Sequence, residues 1–432
     1  MNDKATVFSA EAEINDSGLP AQRRLSALSR YVSSYGKDFP PFSGEINNHI
    51  HTIYSFSPYT PSKAALMARM AGLSVAGSVD HDSIGAAREM RAACDIAGIG
   101  CVTGFELRVS FRGTPFAETK LNNPDSAGIA YMTVQGVPEM SIDAADVFLR
   151  PLRTARHARN RKMLEVLNGM IRKEGLPVLD YDRDVLPSSK SSEGGGVTER
   201  HILYAFAKML EAEFGRGAAL TGEIRKRFSL PLSGKIEERL LDSANPHYVY
   251  DLLGVLKSGF MPKFFIQPGD DECIPAKEVT AFARGIGAVP AYAYLGDVGE
   301  SPTGDKKAEK FEDSYLDDLF PVLRDLGYLA VAYMPPRNTL AQLLRVQTLC
   351  REYGLMEISG VDINSSRQSF NCPEMRKKEF SHLADTTYAL VAHEKLSARD
   401  LRLGLFSPDN QYASEPLETR IARYAALARG NM

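Results

Sequence analysis

The stretch that decides the fold reads Gly44-Glu45-Ile46-Asn47-Asn48-His49-Ile50-His51-Thr52. If it forms a strand, His49 and His51 lie on one face, because strand side chains alternate between the two faces. Two imidazoles on one face can bind one metal ion when other parts of the fold supply further ligands. The alternative is a hydrogen-bonded core histidine beside a surface histidine, which a pair of this kind does not exclude. The stretch therefore predicts a strand that ends in a candidate metal-binding pair.

Further polar residues follow the next apolar runs of the chain. Asp80, His81 and Asp82 close one run, and Glu106 follows the next. Helical patterns separate these runs, and such alternation is typical of a β/α barrel or a doubly wound sheet. In a barrel, the C-terminal ends of the strands build the active site. Because Asp362 closes a later run in the same way, the pattern favours a metal site over a structural role for the histidines.

The same patterns predict how the chain is organised. The expected segments are an N-terminal helical lead-in over residues 1–43, a β/α barrel formed by 44–111 and 276–397, a mostly helical insertion over 112–275, and a C-terminal helical tail over 398–432.

The totals narrow the class of protein. The chain has 432 residues, of which 44% are hydrophobic and 24% charged, as in ordinary globular proteins. A net charge of -3 gives no reason to expect nucleic-acid binding. The five cysteines are widely spaced and predict neither a disulfide framework nor a zinc ribbon. We expect a cytoplasmic protein, because no signal peptide or membrane-spanning run is evident, and the sequence does not indicate an oligomeric state.

Several motifs resemble those of the PHP (polymerase and histidinol phosphatase) family. His49-Ile50-His51-Thr52, Asp80-His81-Asp82-Ser83 and Gly104-Phe105-Glu106 resemble its first motifs, and Asp362 resembles its last. The resemblance covers residues 44–110 and, more loosely, 276–372. It implies an α/β fold, namely a distorted TIM-like (β/α)7 barrel of PHP type with a mostly helical insertion, and phosphoester hydrolysis with two or three metal ions. It also implies that one metal is held by His49, His51, Glu106 and Asp362, and that His81 binds another.

The chain departs from the family pattern at other ligand positions. No histidine occurs between His81 and His157, Tyr294 stands where the family has histidine, and Asn364 stands where it has the last histidine. Tyrosine is a poor ligand at neutral pH, because its hydroxyl has a pKa of about 10. We therefore expect one divalent ion, Zn, Mn or Fe, with Tyr294, Asp297 and Asn364 as candidates for its second shell. A solvated loop aspartate is the alternative for Asp297.

Two further pairs are candidates for catalysis and phosphate binding. His81 and Asp82 can act as a base or orient ligands, although Asp82 can equally cap the helix that follows. Arg200 and His201 open a helix in the insertion and resemble a phosphate-binding pair of the family. Arg200 suits phosphate through its planar charged fork at a helix N-terminus, and a surface position is the alternative.

The remaining candidates are interpreted as structural. The arginines of the basic segment 150–161 and His157 are expected to be solvated, because their spacing covers more than one helix face. The glycines at 194–196 lack a phosphate-loop pattern and are expected to form a flexible linker. His247, His382 and His393 have no partner motif.

The sequence thus predicts a metal-dependent phosphoesterase that hydrolyses a small phosphorylated metabolite with a metal-activated water. The alternatives are a catalytically impaired PHP-like binding or regulatory domain, and a metal-dependent hydrolase of a non-phosphate bond. The expected partners are the substrate alone, without nucleic acid or membrane.

Overall fold

The computed structural model describes residues 10–123, 125–232, 234–297 and 311–430. Within these residues, seven strands form one sheet in which each strand lies beside the next in chain order. The strands are β1 (Ile46–Ile50), β2 (Val75–His81), β3 (Gly100–Ser110), β4 (Ile129–Gln135), β5 (Val289–Ala293), β6 (Ala330–Tyr333) and β7 (Met356–Ser359).

The sheet curls into a nearly closed barrel. Six strands run parallel, whereas β4 is antiparallel to both of its neighbours. The backbone after β7 then pairs with the end of β1: the His51 N–H donates to the Ile363 carbonyl at 2.9 Å, and the Ile363 N–H donates to the His49 carbonyl at 3.0 Å. This arrangement confirms the distorted TIM-like barrel, and the antiparallel β4 is its main distortion.

Closure of the barrel requires a glycine after β7. A Cβ added at Gly360 would lie 2.5 Å from the Cβ of His49 and 2.8 Å from its backbone nitrogen. A side chain therefore cannot fit between β7 and β1 without moving the backbone that carries His49.

Helices cover the barrel and fill the segment between β4 and β5. In chain order they are α1 (Ala21–Tyr35), α2 (Pro61–Met70), α3 (Ala87–Ala97), α4 (Ile142–Lys173), α5 (Glu199–Phe214), α6 (Ala218–Phe228), α7 (Gly234–Leu241), α8 (Tyr248–Phe264), α9 (Ala276–Gly285), α10 (Leu316–Leu326), α11 (Leu340–Tyr353), α12 (His382–Ser397) and α13 (Leu417–Gly430). Helices α4 to α8 share an apolar cluster of their own, which includes Leu167, Phe206 and Leu256. Among the described residues, no helix is both long and apolar enough to cross a membrane.

Local chemistry explains where the helices around the site begin and end. The Thr60 side chain accepts a hydrogen bond from the Lys63 N–H, and Pro61 occupies the first helical position of α2. Helix α3 ends at Gly98, which adopts the left-handed conformation that glycine tolerates best. After each of these helices the chain re-enters the sheet, first as β2 and then as β3. The ends of both strands therefore lie beside the end of β1.

Candidate metal centre

Three predicted ligands meet at the end of β1. One ligand atom from each of His49, His51 and Glu106 lies within 4.8 Å of the others. Nε2 of His49 is 3.9 Å from Oε2 of Glu106, and Nε2 of His51 is 3.7 Å from the same oxygen. Glu106 lies within β3 rather than beyond its end, and it pairs in register with His81 of β2.

Asp362 and His81 join this group from other strands. Asp362 follows β7, and its Oδ1 is 3.3 Å from Nε2 of His51. Nδ1 of His81 is 3.0 Å from Oε2 of Glu106, and the rings of His51 and His81 have centroids 4.6 Å apart. Five of the six side chains predicted as ligands or bases are therefore close together, namely His49, His51, His81, Glu106 and Asp362.

The donor set fits a divalent cation. Ligand atoms bound at about 2.0–2.2 Å around one ion are roughly 3–4 Å apart, which is the range found here. Imidazole nitrogens combined with carboxylate oxygens suit Zn, Mn or Fe. Burial alone would lower the pKa of His51, yet Asp362, Glu106 and Asp80 together hold it above its usual value. The same negative potential would favour a bound cation.

Asp80 stabilises the turn after β1 and is not itself a member of the group of predicted ligands. Its carboxylate, almost fully buried, accepts hydrogen bonds from the Thr52 N–H, the Thr52 hydroxyl and the Ser55 hydroxyl, each at 2.6 Å. The Ser55 oxygen lies 3.3 Å from Nδ1 of His51. Asp80 thus fixes the turn after β1 and, through Ser55, the ring of His51, as carboxylates behind ligating histidines commonly do.

Two arginines of α4 contact Asp82. Its carboxylate forms an ion pair with Arg156 at 2.5 Å, and its carbonyl accepts from Arg153 at 3.0 Å. Its φ of 53° is left-handed, which is uncommon for a residue with a side chain. Asp82 directly follows His81 in the chain, but its carboxylate contacts Arg156. Its use as a base therefore stays a prediction.

The solvated-face interpretation of the central arginines is wrong. Arg153, Arg156 and Arg159 are 7%, 4% and 6% exposed, and all three make ion pairs inside the protein. His157 is half-buried and lies 2.8 Å from the Tyr181 hydroxyl. Helix spacing could not reveal this burial, because the carboxylates that compensate Arg156 and Arg159 lie on other elements.

The three proposed second-shell residues behave differently from one another. Asn364 Nδ2 donates to Oδ1 of Asp362 at 2.7 Å and so orients a predicted ligand. Tyr294 donates its hydroxyl to Asp313 at 2.5 Å, and burial together with that carboxylate raises its pKa far above the usual range. Asp297 accepts a hydrogen bond from the Phe311 N–H at 2.8 Å. Of the three, only Asn364 contacts one of the clustered ligands.

Arg200 and His201 have different roles at the start of α5. His201 is buried, its Nδ1 accepts from the Thr198 N–H at 3.0 Å, and burial lowers its pKa to about 3. It therefore caps the helix and does not line the cavity beside the ligands. Arg200 does line that cavity. Burial lowers the pKa of His81, and the charge of Arg200 makes a small contribution in the same direction. Burial would raise the pKa of the Asp362 carboxyl, but its hydrogen bond with His51 holds that pKa well below the usual value, and Arg200 adds to this effect.

The cavity lies between the mouth of the barrel and the helices α5 and α8. Its lining includes His49, His81, Glu106 and Asp362 from the strand ends, together with the half-buried cations Arg200, Lys257 and Arg337. Lys257 and Arg337 were not singled out from the sequence, because no motif surrounds them. Their relevance comes only from where α8 and the segment after β6 lie in space.

The glycine-rich loop packs against the site, so its interpretation as a flexible linker is wrong. The Gly196 N–H donates to the Tyr54 carbonyl at 2.7 Å, and a Cβ at Gly196 would lie 2.2 Å from the His81 carbonyl. The Ser83 hydroxyl donates to the Gly194 carbonyl at 2.7 Å. The glycines are therefore required for a close approach to the ends of β1 and β2.

The other histidines bond to structural partners. Nδ1 of His247 is 2.7 Å from the Ser366 hydroxyl, Nε2 of His382 is 3.1 Å from Glu357, and His393 accepts from the Leu405 N–H at 2.9 Å.

Comparisons with known proteins agree with the fold. No protein-family model matches the chain, and no curated protein matches it significantly. One similar solved structure, described as a candidate metal-dependent phosphoesterase from Bifidobacterium adolescentis, is 18% identical, with a TM-score of 0.50 over 78% of this chain and 96% of its own. Another, an amidohydrolase from Chromobacterium violaceum with bound sulfate and no metal, is 16% identical, with a TM-score of 0.46 over 76% and 90%. At 18% identity, the likeness to the first of these structures shows the fold alone.

Proposed function

We propose that this protein is a metal-dependent phosphoesterase, a divergent PHP-type enzyme that hydrolyses a small phosphorylated metabolite. The observation that carries the proposal is the group of His49, His51 and Glu106, with Asp362 beside His51, next to a cavity that Arg200, Lys257 and Arg337 also line. A cluster of imidazoles and carboxylates suits a cation, whereas a wall of arginine and lysine suits an anion. A phosphate ester needs both, because its oxygens carry negative charge and its cleavage needs an activated water.

The role that we propose for each side chain follows from its position. His49, His51, Glu106 and Asp362 would hold one ion, and Asn364 and Asp80 would orient two of these ligands. The ion would supply Lewis acidity and a water of lowered pKa. His81 lines the cavity beside Glu106 and can take or give a proton at the reacting oxygen.

The cationic side of the cavity would bind the phosphate. Arg200 lies in the first turn of α5, where the backbone N–H groups and the helix dipole also favour an anion. Lys257 on α8 and Arg337 after β6 line the same cavity. Helices from the segment 112–275 thus complete a site whose metal ligands come from the barrel.

The test is metal-dependent hydrolysis by the full chain. Protein stripped with a chelator should lose activity on 4-nitrophenyl phosphate and on a panel of phosphorylated metabolites, and regain it with Zn, Mn or Fe. Glu106→Gln should abolish activity, whereas Arg200→Ala should raise KM more than it lowers kcat. Arg225→Ala, which removes an exposed arginine of α6, should change neither constant. Metal binding without hydrolysis of any phosphorylated compound would contradict the proposal.

One observation favours a second candidate, a binding or regulatory domain without activity. The Tyr294 hydroxyl is already hydrogen-bonded to Asp313, so it offers no ligand for a second ion. If reactions of this type on this barrel need two ions, the protein would bind a phosphorylated ligand and release it unchanged. Isothermal titration with inorganic phosphate, set beside the activity assay, separates the two candidates.

A further inference from the structure

A group of buried opposite charges lies beside the candidate site, and Arg108, Arg156 and Glu199 of this group line the same cavity. We name it the arginine–carboxylate cluster, and its members are Arg108, Arg156, Arg159, Asp82, Glu199 and Glu272. The arginines come from β3 and α4, whereas the carboxylates come from the end of β2, the start of α5 and the loop before α9. The cluster therefore connects the barrel strands β2 and β3 to the helices α4 and α5.

The charges in this cluster balance one another. Three guanidinium groups face three carboxylates, and burial alone would raise the pKa of Glu199, yet Arg156, Arg108 and Arg159 lower it well below its usual value. Three carboxylates paired with three arginines leave no excess of positive charge to attract a substrate anion. The cluster is therefore suited to fixing positions and does not form a second phosphate site.

Arg156 is the member that joins the two halves of the candidate site. Its Nη1 lies 2.5 Å from Oδ2 of Asp82, and its Nη2 lies 2.8 Å from Oε2 of Glu199. Asp82 is the residue after His81, and Glu199 is the residue before Arg200. One rigid guanidinium thus contacts both the residue after His81 and the residue before Arg200. Arg156 also lines the cavity.

The backbone at Asp82 gives this contact a further consequence. Asp82 has a φ of 53°, and its N–H donates to the Glu106 carbonyl at 2.8 Å. A residue with a side chain adopts this conformation when its surroundings enforce it. The contact with Arg156 supplies such a restraint, so it also fixes the end of β2 that carries His81.

We propose that Arg156 is a positioning residue that sets the distance between His81 and Arg200 by holding Asp82 and Glu199 with one guanidinium. The inference rests on the proposed function, in which His81 moves a proton and Arg200 binds phosphate. Lysine cannot replace arginine in this role, because a single ammonium lacks the planar fork that spans two carboxylates. Misplacement of reacting groups by about 1 Å can cost about 100-fold in rate.

The experiment compares Arg156→Lys with Arg159→Lys. Both variants keep the charge at a buried position of the same helix, but Arg159 contacts Glu199 and Glu272 and does not line the cavity. Arg156→Lys should lower kcat on 4-nitrophenyl phosphate about 10- to 100-fold and weaken inorganic phosphate binding about tenfold. Its metal content and melting temperature should stay close to those of Arg159→Lys, whose kinetic constants should change less than about threefold.

A double variant separates positioning from general damage. If Arg156 acts through Asp82, then Asp82→Asn combined with Arg156→Lys should lose about as much activity as Arg156→Lys alone. Equal losses in the two lysine variants, no loss in Arg156→Lys, or loss of bound metal in that variant would overturn the proposal.

The two proposals can fail separately. If the wild type hydrolyses no phosphomonoester, the proposed function fails, and the phosphate affinities of the wild type and the two lysine variants then decide the role of Arg156. A wild type that neither hydrolyses a phosphomonoester nor binds inorganic phosphate overturns both.

Discussion

Replacing Asp80 by asparagine tests whether the end of β1 is built to hold a metal ligand in place. Asp80 accepts three hydrogen bonds of 2.6 Å, two from Thr52 and one from Ser55, and Ser55 in turn contacts His51. Asparagine has the same size but only one acceptor oxygen. It therefore presents N–H groups to at least one of the three donors, which loosens the turn from Thr52 to Ser55 that supports the ring of His51.

The magnitude follows from these contacts. A hydrogen bond to a charged group contributes about 1.5–3 kcal/mol, so losing one and weakening two would cost several kcal/mol. Burial raises the pKa of the Asp80 carboxyl, which means that its ionised form carries a desolvation cost that asparagine avoids. We therefore expect Asp80→Asn to lower the free energy of unfolding by about 2 kcal/mol. We also expect about a 10- to 100-fold loss of metal affinity, as with other partners of ligating histidines.

The assays are urea denaturation of the metal-free protein and chelator competition for the metal. Asp95→Asn serves as the matched control, because Asp95 is exposed on α3 and the change is chemically identical. It should alter neither quantity by a measurable amount. If Asp80→Asn binds metal as tightly as the wild type, the reasoning that assigns Asp80 to the support of His51 is refuted.

Two further predictions concern barrel closure and the buried charges. Gly360→Ala should lower both the melting temperature and the metal affinity, because its Cβ would lie 2.5 Å from the Cβ of His49. The control Gly254→Ala, on α8, places a Cβ with no atom within 4 Å and should be neutral or stabilising. Thermal melts with and without metal test this prediction, and an unchanged metal affinity in Gly360→Ala would contradict it. Glu199 has a lowered pKa in the folded state, so its contribution to stability is present above the ordinary value of 4.5 and is lost as the pH falls. Denaturation from pH 7 to pH 3 should therefore show wild type and Glu199→Gln converging in stability, and a constant difference would be evidence against the ionised cluster.

The barrel and the residues that come together at the candidate metal centre could be predicted because their signals are local. His49 and His51 share a strand face, and Glu106 and Asp362 close apolar runs, so alternation and a family resemblance suffice to group them. The antiparallel strand β4 was not predicted as part of the barrel and lies within residues 112–275, the segment expected to be an insertion. Its sequence shows only that a strand is possible, and its direction is set by its neighbours β3 and β5.

The buried charges could not be predicted from local pattern. Arg159 makes an ion pair with Glu272, which is 113 residues away, and nothing near either residue indicates the other. Asp80 and Asp82 are equally acidic in the sequence, yet the pleat of β2 directs Asp80 to Thr52, while the left-handed turn at Asp82 directs its carboxylate to Arg156. Which carboxylate supports a metal ligand is therefore a property of the assembled fold.

The measurement that tests the central claim most directly is the metal content of the full chain purified without added metal, compared with that of His51→Gln. His51 is buried and contacts both Glu106 and Asp362, so its loss should remove a ligand that no neighbour can replace. We predict close to one equivalent of Zn, Mn or Fe per wild-type chain and almost none in His51→Gln. A wild type without metal, or a variant that retains the metal in full, would contradict the assignment of this cluster as the metal centre.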